Sequence, residues 1–275
     1  MVHSRAAHGA IVWAAALLLS LPVFAQSQLF TFEQDVSGYT GFSDTTIFSE
    51  SNNNGGGTDG VFSGTINQLT FDGQKQHRRG LIQIDLTSIP PGWIIEDATL
   101  QMTVSTSGGN FGNFDCSLHR VTGSWGEGSV VGPSAGGFGG PAQPGDATWQ
   151  SGHHGISAWN SAGGDFASGP SATAAAGLAG SDVVWSGAGL ISDVQLWVNV
   201  PSANNGWLVL SGLEGQQQRI KKFHSSEATQ FRPILTVLAQ PAPPLGDSTY
   251  QVPLLCLAFT LASFATLRRA RTTTR

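Results

Sequence analysis

The sequence predicts an all-β fold, an antiparallel two-sheet sandwich of jelly-roll type. The first observation is alternation over residues 79–104, RGLIQIDLTSIPPGWIIEDATLQMTV. Ile82, Ile84 and Leu86 point one way there, and Gln83 and Asp85 the other. In the second run Ala98, Leu100, Met102 and Val104 alternate with Thr99, Gln101 and Thr103. Period two marks a strand with one buried and one wet face. The second observation is that no helical periodicity of ten or more residues appears between positions 26 and 240. The third is the punctuation: Ile89-Pro90-Pro91-Gly92 and similar clusters separate the runs, since proline fixes φ and glycine permits tight turns.

Taken in order, residues 1–25 read as a signal peptide. Arg5 precedes an apolar run from Ile11 to Leu21, and Val23-Phe24-Ala25 supplies the small residues of a cleavage site. Leu29 to Val36, Thr45 to Phe48 and Val61 to Phe71 are strand candidates. Between the last two, SESNNNGGGTDG (49–60) has no apolar residue and reads as a loop. DGQKQHRRG leads into the 79–104 pair, which reads as a hairpin. From Thr122 to Gly189 glycine, alanine and serine dominate, yet Trp125, Trp149, Trp159 and Trp185 lie there. A disordered segment seldom holds so many aromatics, so this region reads as ordered loops at one sandwich end, with 170–180 its mobile part. Ser192 to Val200 reads as a strand with Val194, Leu196 and Val198 inward. Trp207 to Leu210, Lys221 to Ser226 and Pro233 to Leu238 close the domain, 26–240. Residues 241–251 are a proline-rich linker and 252–267 an apolar helix. Sixteen helical residues span about 24 Å, short of a ~30 Å hydrocarbon core. With the basic tail 268–275 after it, the layout fits a C-terminal sorting signal or membrane anchor. The expected location is therefore the bacterial cell surface or exterior.

All 18 acidic residues lie between Glu33 and Asp247, but only 8 of the 13 basic ones do, which leaves that stretch at −10. Such a balance argues against nucleic acid and anionic membrane surfaces as partners, and suits cations and neutral glycans. Cys116 and Cys256 fall in such different settings that no disulfide is expected; Cys116 reads as a small buried hydrophobe.

Catalytic motifs are scarce. No G-x-S-x-G, H-E-x-x-H or Walker loop occurs. His153-His154 lacks further ligands at helical spacing, so it reads as a polar loop. Glu127 and Asp146 are the carboxylates a polysaccharide-active enzyme would use. His224 with Ser225-Ser226-Glu227 is adjacency rather than a triad. Calcium, which takes six to eight oxygen ligands, suits Asp44, Asn53 and Asp59 around the 49–60 loop; the alternative is a turn held by Asx hydrogen bonds. Glycan contact suits Trp149 and Trp159, because an indole face stacks on a sugar, with Asp165 placed to bond hydroxyls. The alternative is that both tryptophans plug the sandwich.

Several pieces in order carry a family resemblance: GYTGFSDTTI (38–47), the 79–102 stretch, VTGSWGEG (121–128), GDATWQ (145–150), WNSAGGDF (159–166), WVNVPSANNGWLV (197–209) and FHSSEATQFRPILTV (223–237). Residues 28–239 resemble the DNRLRE domain, which is similar to carbohydrate-binding module family 96. The resemblance implies a non-catalytic jelly-roll module on secreted or surface proteins, some of them binding polysaccharide. It adds weight to a structural calcium beside the N-terminal strands, gives the Ser-Ser-Glu-Ala piece a structural role, and places family motifs on Trp149, Trp159 and Asp165. The expected function is glycan binding, adhesion or matrix structure, with polysaccharide or extracellular matrix and the sorting machinery as partners. A polysaccharide-active enzyme and a purely structural surface protein are the alternatives.

Overall fold

The alternation of residues 79–104 becomes two strands, but they do not pair with each other. The computed structural model of the protein describes residues 26–108, 112–132 and 137–243. The segments expected to be a leader (1–25), an apolar helix (252–267), a basic tail (268–275) and most of a linker (241–251) lie outside them. Residues Gln26–Ala242 pack as one unit. In chain order its elements are β1 (Gln28–Phe32), β2 (Phe42–Phe48), β3 (Asn53–Asn54), β4 (Gly60–Leu69), β5 (Lys75–Ile84), β6 (Ile94–Ser107), β7 (Phe114–Arg120), β8 (Gly140–Pro141), β9 (Ser151–His153), β10 (Ser157–Ala158), β11 (Ala172–Ala176), β12 (Asp182–Ser186), α1 (Ala188–Asn199), a 3-10 turn (Pro201–Ala203), β13 (Trp207–Ser211), β14 (Arg219–His224) and β15 (Ile234–Gln240).

Every described pairing is antiparallel. One layer runs β1–β15–β6–β12, with Gln28 opposite Ala239 and Leu235 opposite Leu100. The other holds β11–β7–β13–β5–β2, with β4 and β14 continuing it. β6 serves both: Thr99 to Gln101 pair with β15, while Val104 to Ser107 pair with β14. So β5 and β6 lie in opposite layers, and the Ile89–Gly92 turn crosses between them instead of closing a hairpin. The reason is burial. Ile82, Ile84 and Leu86 meet Ala98, Leu100, Met102 and Val104 in one core, each face covering the other.

Ser192–Val200 is not a strand. It is the second half of α1, and Leu190, Asp193, Val194, Trp197 and Val198 form its buried stripe at helical spacing. Asp193 is tolerated inside because its carboxylate accepts from Trp207 Nε1 (2.9 Å) and pairs with Arg120 Nε (3.0 Å). Among the described residues no helix is long and apolar enough to cross a membrane. Residues 172–176, read as part of a mobile excursion, form the edge strand β11 on β7. Cys116 is buried and free, its thiol pushed up to about 12 by burial.

The glycine-rich middle does not sit at a sandwich end as expected. Its first part, as far as Phe166, folds over the outer face of the β5 layer and builds a second core, in which Trp125, Ala147 and Trp159 close over Ile47, Leu81 and Leu208, while β11 and β12 join the layers and Trp185 enters the main core. Adjacent strand residues are buried on opposite faces here, Leu81 in this core and Ile82 in the main one.

Candidate functional site

Three carboxylates from distant segments converge where this covering meets the turn after β14. Asp44 on β2 is 1% exposed. Its backbone N–H donates to Glu127 Oε1 (2.7 Å), and Ser226 N–H donates to Asp44 Oδ2 (2.7 Å). Ser226 Oγ in turn donates to Glu227 Oε1 (3.1 Å). The loop carrying Glu127 is fixed from both sides. Trp125 Nε1 donates to Asn205 O (2.8 Å), and Asn54 Nδ2 donates to Glu127 O (2.9 Å). Gly128, at φ +78, leaves no room for a Cβ against Asn54 and Asp146.

The electrostatics follow from burial. Burial, then the Glu227 charge, holds the Asp44 carboxyl well above its ordinary range, against the pull of Ser226 N–H. Burial likewise raises Glu127 to about 7. The described ion pairs engage other carboxylates: Glu50 with Arg78, Glu214 with Arg79, Asp193 with Arg120, Asp59 with Lys222 and Asp35 with Arg232. Both shifts are upward, so the folded state holds these protons more tightly than the unfolded chain. Their stabilising effect is complete below the ordinary carboxylate range and is lost as pH rises through the raised values, about 7 for Glu127. Glu127 is only half-buried, so its share is discounted to about 1–2 kcal/mol. The melting temperature should therefore fall between about pH 4.5 and 7.5, and Glu127→Gln, which keeps the acceptor for Asp44 N–H, should flatten that slope. Thermal melts across this range check it; equal slopes for both proteins would refute the coupling.

Glu227 itself reaches the surface, where it lines a groove of about 250 Å³ with Asp59, His224, Ala228, Thr229, Gln230 and Phe231. Phe231 is 62% exposed and sits at φ +59. A bulky aromatic in the left-handed region costs about 1–3 kcal/mol, so the surrounding structure must impose it. Arg232 does so. Its guanidinium donates to Ala228 O (2.6 Å) and Gln34 O (2.8 Å) and pairs with Asp35 (3.0 Å), clamping the turn while Phe231 is turned outward. The His224 ring lies 5.5 Å from that of Phe231, tilted by 41°. Burial holds the His224 imidazole below its ordinary range. Lys222 Nζ bonds Asp59 Oδ1 at 2.6 Å. The arrangement offers one exposed aromatic face, two carboxylates, an amide and an imidazole around a single concavity. It suits a ligand with a flat apolar face and polar edges.

The residues expected from sequence lie elsewhere or separately. Trp159 is 7% exposed and its Nε1 donates to Thr148 O (2.9 Å), so it is a wall of the second core. Trp149 is half-buried, stacked on His77 at 6.3 Å with the Arg79 guanidinium 4.7 Å from its ring. Asp165 accepts from Asn160 N (2.9 Å) and Ser161 N (3.0 Å) and lines a shallow hollow with Thr122 and Phe166. Of the expected calcium ligands, Asp44 faces Ser226, Asn53 Nδ2 donates to Phe138 O (2.7 Å), and Asp59 turns to Lys222. Their hydrogen-bonding partners are all different, and among the described residues no three His, Cys, Asp or Glu side chains are grouped to hold a metal ion. Ser225 Oγ donates to Thr58 O (2.7 Å), a structural bond. His153 spans Gly145 O and Ser124 Oγ, both at 3.2 Å. Asp146, 7% exposed, accepts from Gln143 N. Of the groove residues, Asp59 was expected as a calcium ligand and His224 and Glu227 were noted only as neighbours in sequence; Phe231 was missed, although it is a lone aromatic in the polar run SSEATQFRP. No family model and no curated protein matches this chain.

Proposed function

We propose that residues 26–240 form an exported, non-catalytic carbohydrate-binding module of jelly-roll type, held at the cell envelope, and that the Phe231 groove is its binding site. The observation that carries this reading is Phe231: an aromatic turned outward, in a costly backbone conformation, over a groove of polar side chains. Strain persists where the fold over-determines it, and binding sites are where that happens. None of the described tryptophans is exposed, which leaves this phenylalanine as the stacking platform in the groove. The resemblance of residues 28–239 to DNRLRE domains points the same way.

Stacking on one ring adds about 1 kcal/mol beyond area burial, so single-site affinity falls in the micromolar to millimolar range. Dense display would supply avidity. Phe231→Gly should abolish retention in affinity gels containing cellulose, xylan, chitin or chitosan. Its melting temperature should be equal or higher, because glycine adopts positive φ without strain. Retention unchanged in Phe231→Gly but lost in Trp149→Ala would move the site to the Trp149 ring beside His77 and Arg79. Wild-type protein retained by none of the gels would favour a purely structural surface role.

A further inference from the structure

We infer that the Phe231 groove prefers glycans bearing a free protonated amine, a glucosamine-type chain, over neutral and uronate-bearing glycans. The inference rests on the carbohydrate-binding reading and sets its charge selectivity. Asp59 and Glu227 stand exposed on the groove wall. Behind Glu227 lie the buried carboxyls of Asp44 and Glu127. Arg232 bonds Asp35 and two backbone carbonyls, and Lys222 pairs with Asp59, so of the two wall carboxylates Glu227 is the one that no described ion pair engages. Burial disfavours a charge on His224.

A sugar lying on Phe231 therefore meets acceptors at its edge. Glu227 accepts hydroxyl donors, but an ammonium gives it a charge-assisted bond about twice as strong as a neutral one. A uronate in the same place meets like charge, within a domain region of net charge −10 counted from Glu33 to Asp247.

The test is calorimetry on the intact chain at about pH 6. The probes are the glucosamine hexamer, the N-acetylglucosamine hexamer and a guluronate hexamer. The glucosamine hexamer should bind at least about tenfold more tightly than the acetylated one, and the guluronate hexamer should give no heat. Glu227→Gln, which keeps an acceptor oxygen but loses the charge, should erase that preference by lowering affinity for the glucosamine hexamer to about that of the acetylated one. Phe231→Ala should weaken both. Equal affinity for the two glucosamine oligomers, both dependent on Phe231, would overturn the charge selectivity and leave the carbohydrate reading standing. So would a tenfold preference that survives Glu227→Gln. A salt-sensitive preference that survives Phe231→Ala would show plain attraction of a polycation and overturn it as well. No binding of any oligomer by folded protein would remove both the selectivity and the reading it rests on.

Discussion

Ile84→Asp is expected to leave the protein unfolded at room temperature. Ile84 is 1% exposed in the main core, between layers that cover each other. An aspartate there meets only apolar neighbours and costs several kcal/mol, comparable with the roughly 5–15 kcal/mol that hold a domain together. Gln83→Asp is the control one residue away. Gln83 faces the other side and is half-buried, and its Nε2 donates to Asn204 O (2.5 Å). Losing that bond costs about 1 kcal/mol. Far-UV circular dichroism with a urea titration separates the two outcomes; matching curves would mean that the inward and outward faces of β5 are misassigned.

Trp159→Ala carries the second large effect. The indole closes the second core over Leu81 and Leu208 and satisfies its own N–H at Thr148 O. Truncation removes that packing and leaves a cavity, a cost of about 3–5 kcal/mol. For a domain of this size that lowers the melting temperature by roughly 10 °C. Trp149→Ala removes a half-buried ring held by His77 and Arg79, and should cost less, about 1–2 kcal/mol. Differential scanning calorimetry reads both. A Trp159→Ala protein that melts like the wild type but no longer binds polysaccharide would make Trp159 a ligand platform after all.

The faces of β5 and β6 were legible because a two-residue period is local: Ile82, Ile84, Ala98 and Leu100 declare their burial without reference to anything distant. Their pairing was not, because a Pro-Pro-Gly turn can close a hairpin or cross to a facing layer equally well. The α1 helix hid for a related reason. Val194, Leu196 and Val198 alternate, and the stripe that reveals the helix begins at Leu190, before the apparent strand. Trp125 and Trp159 were visible as ordered aromatics, but which surface they cover depends on Ile47, Leu81 and Leu208 far away in sequence. The carboxylate cluster was out of reach for the same reason: Asp44 meets Glu127 and Ser226 across 83 and 182 residues. Phe231 stood out only as a lone aromatic in a polar run, and nothing in its side chain announces a positive φ.

The pairing of β1 with β15 governs how the domain responds to load. Gln28 opens the first strand and lies directly opposite Ala239, next to the end of the last, so the domain's two chain ends leave from the same point on one edge. Tension applied between them would pull the hydrogen bonds apart one after another, as in peeling tape, with no row of bonds resisting in parallel. β1 would detach at low force, while β15 still holds to β6 through seven residue pairs. Tension between the C-terminal end and a ligand seated at Phe231 takes a different route. It enters at Gln240, runs along β15 and leaves through the Arg232 clamp, without passing along β1 at all.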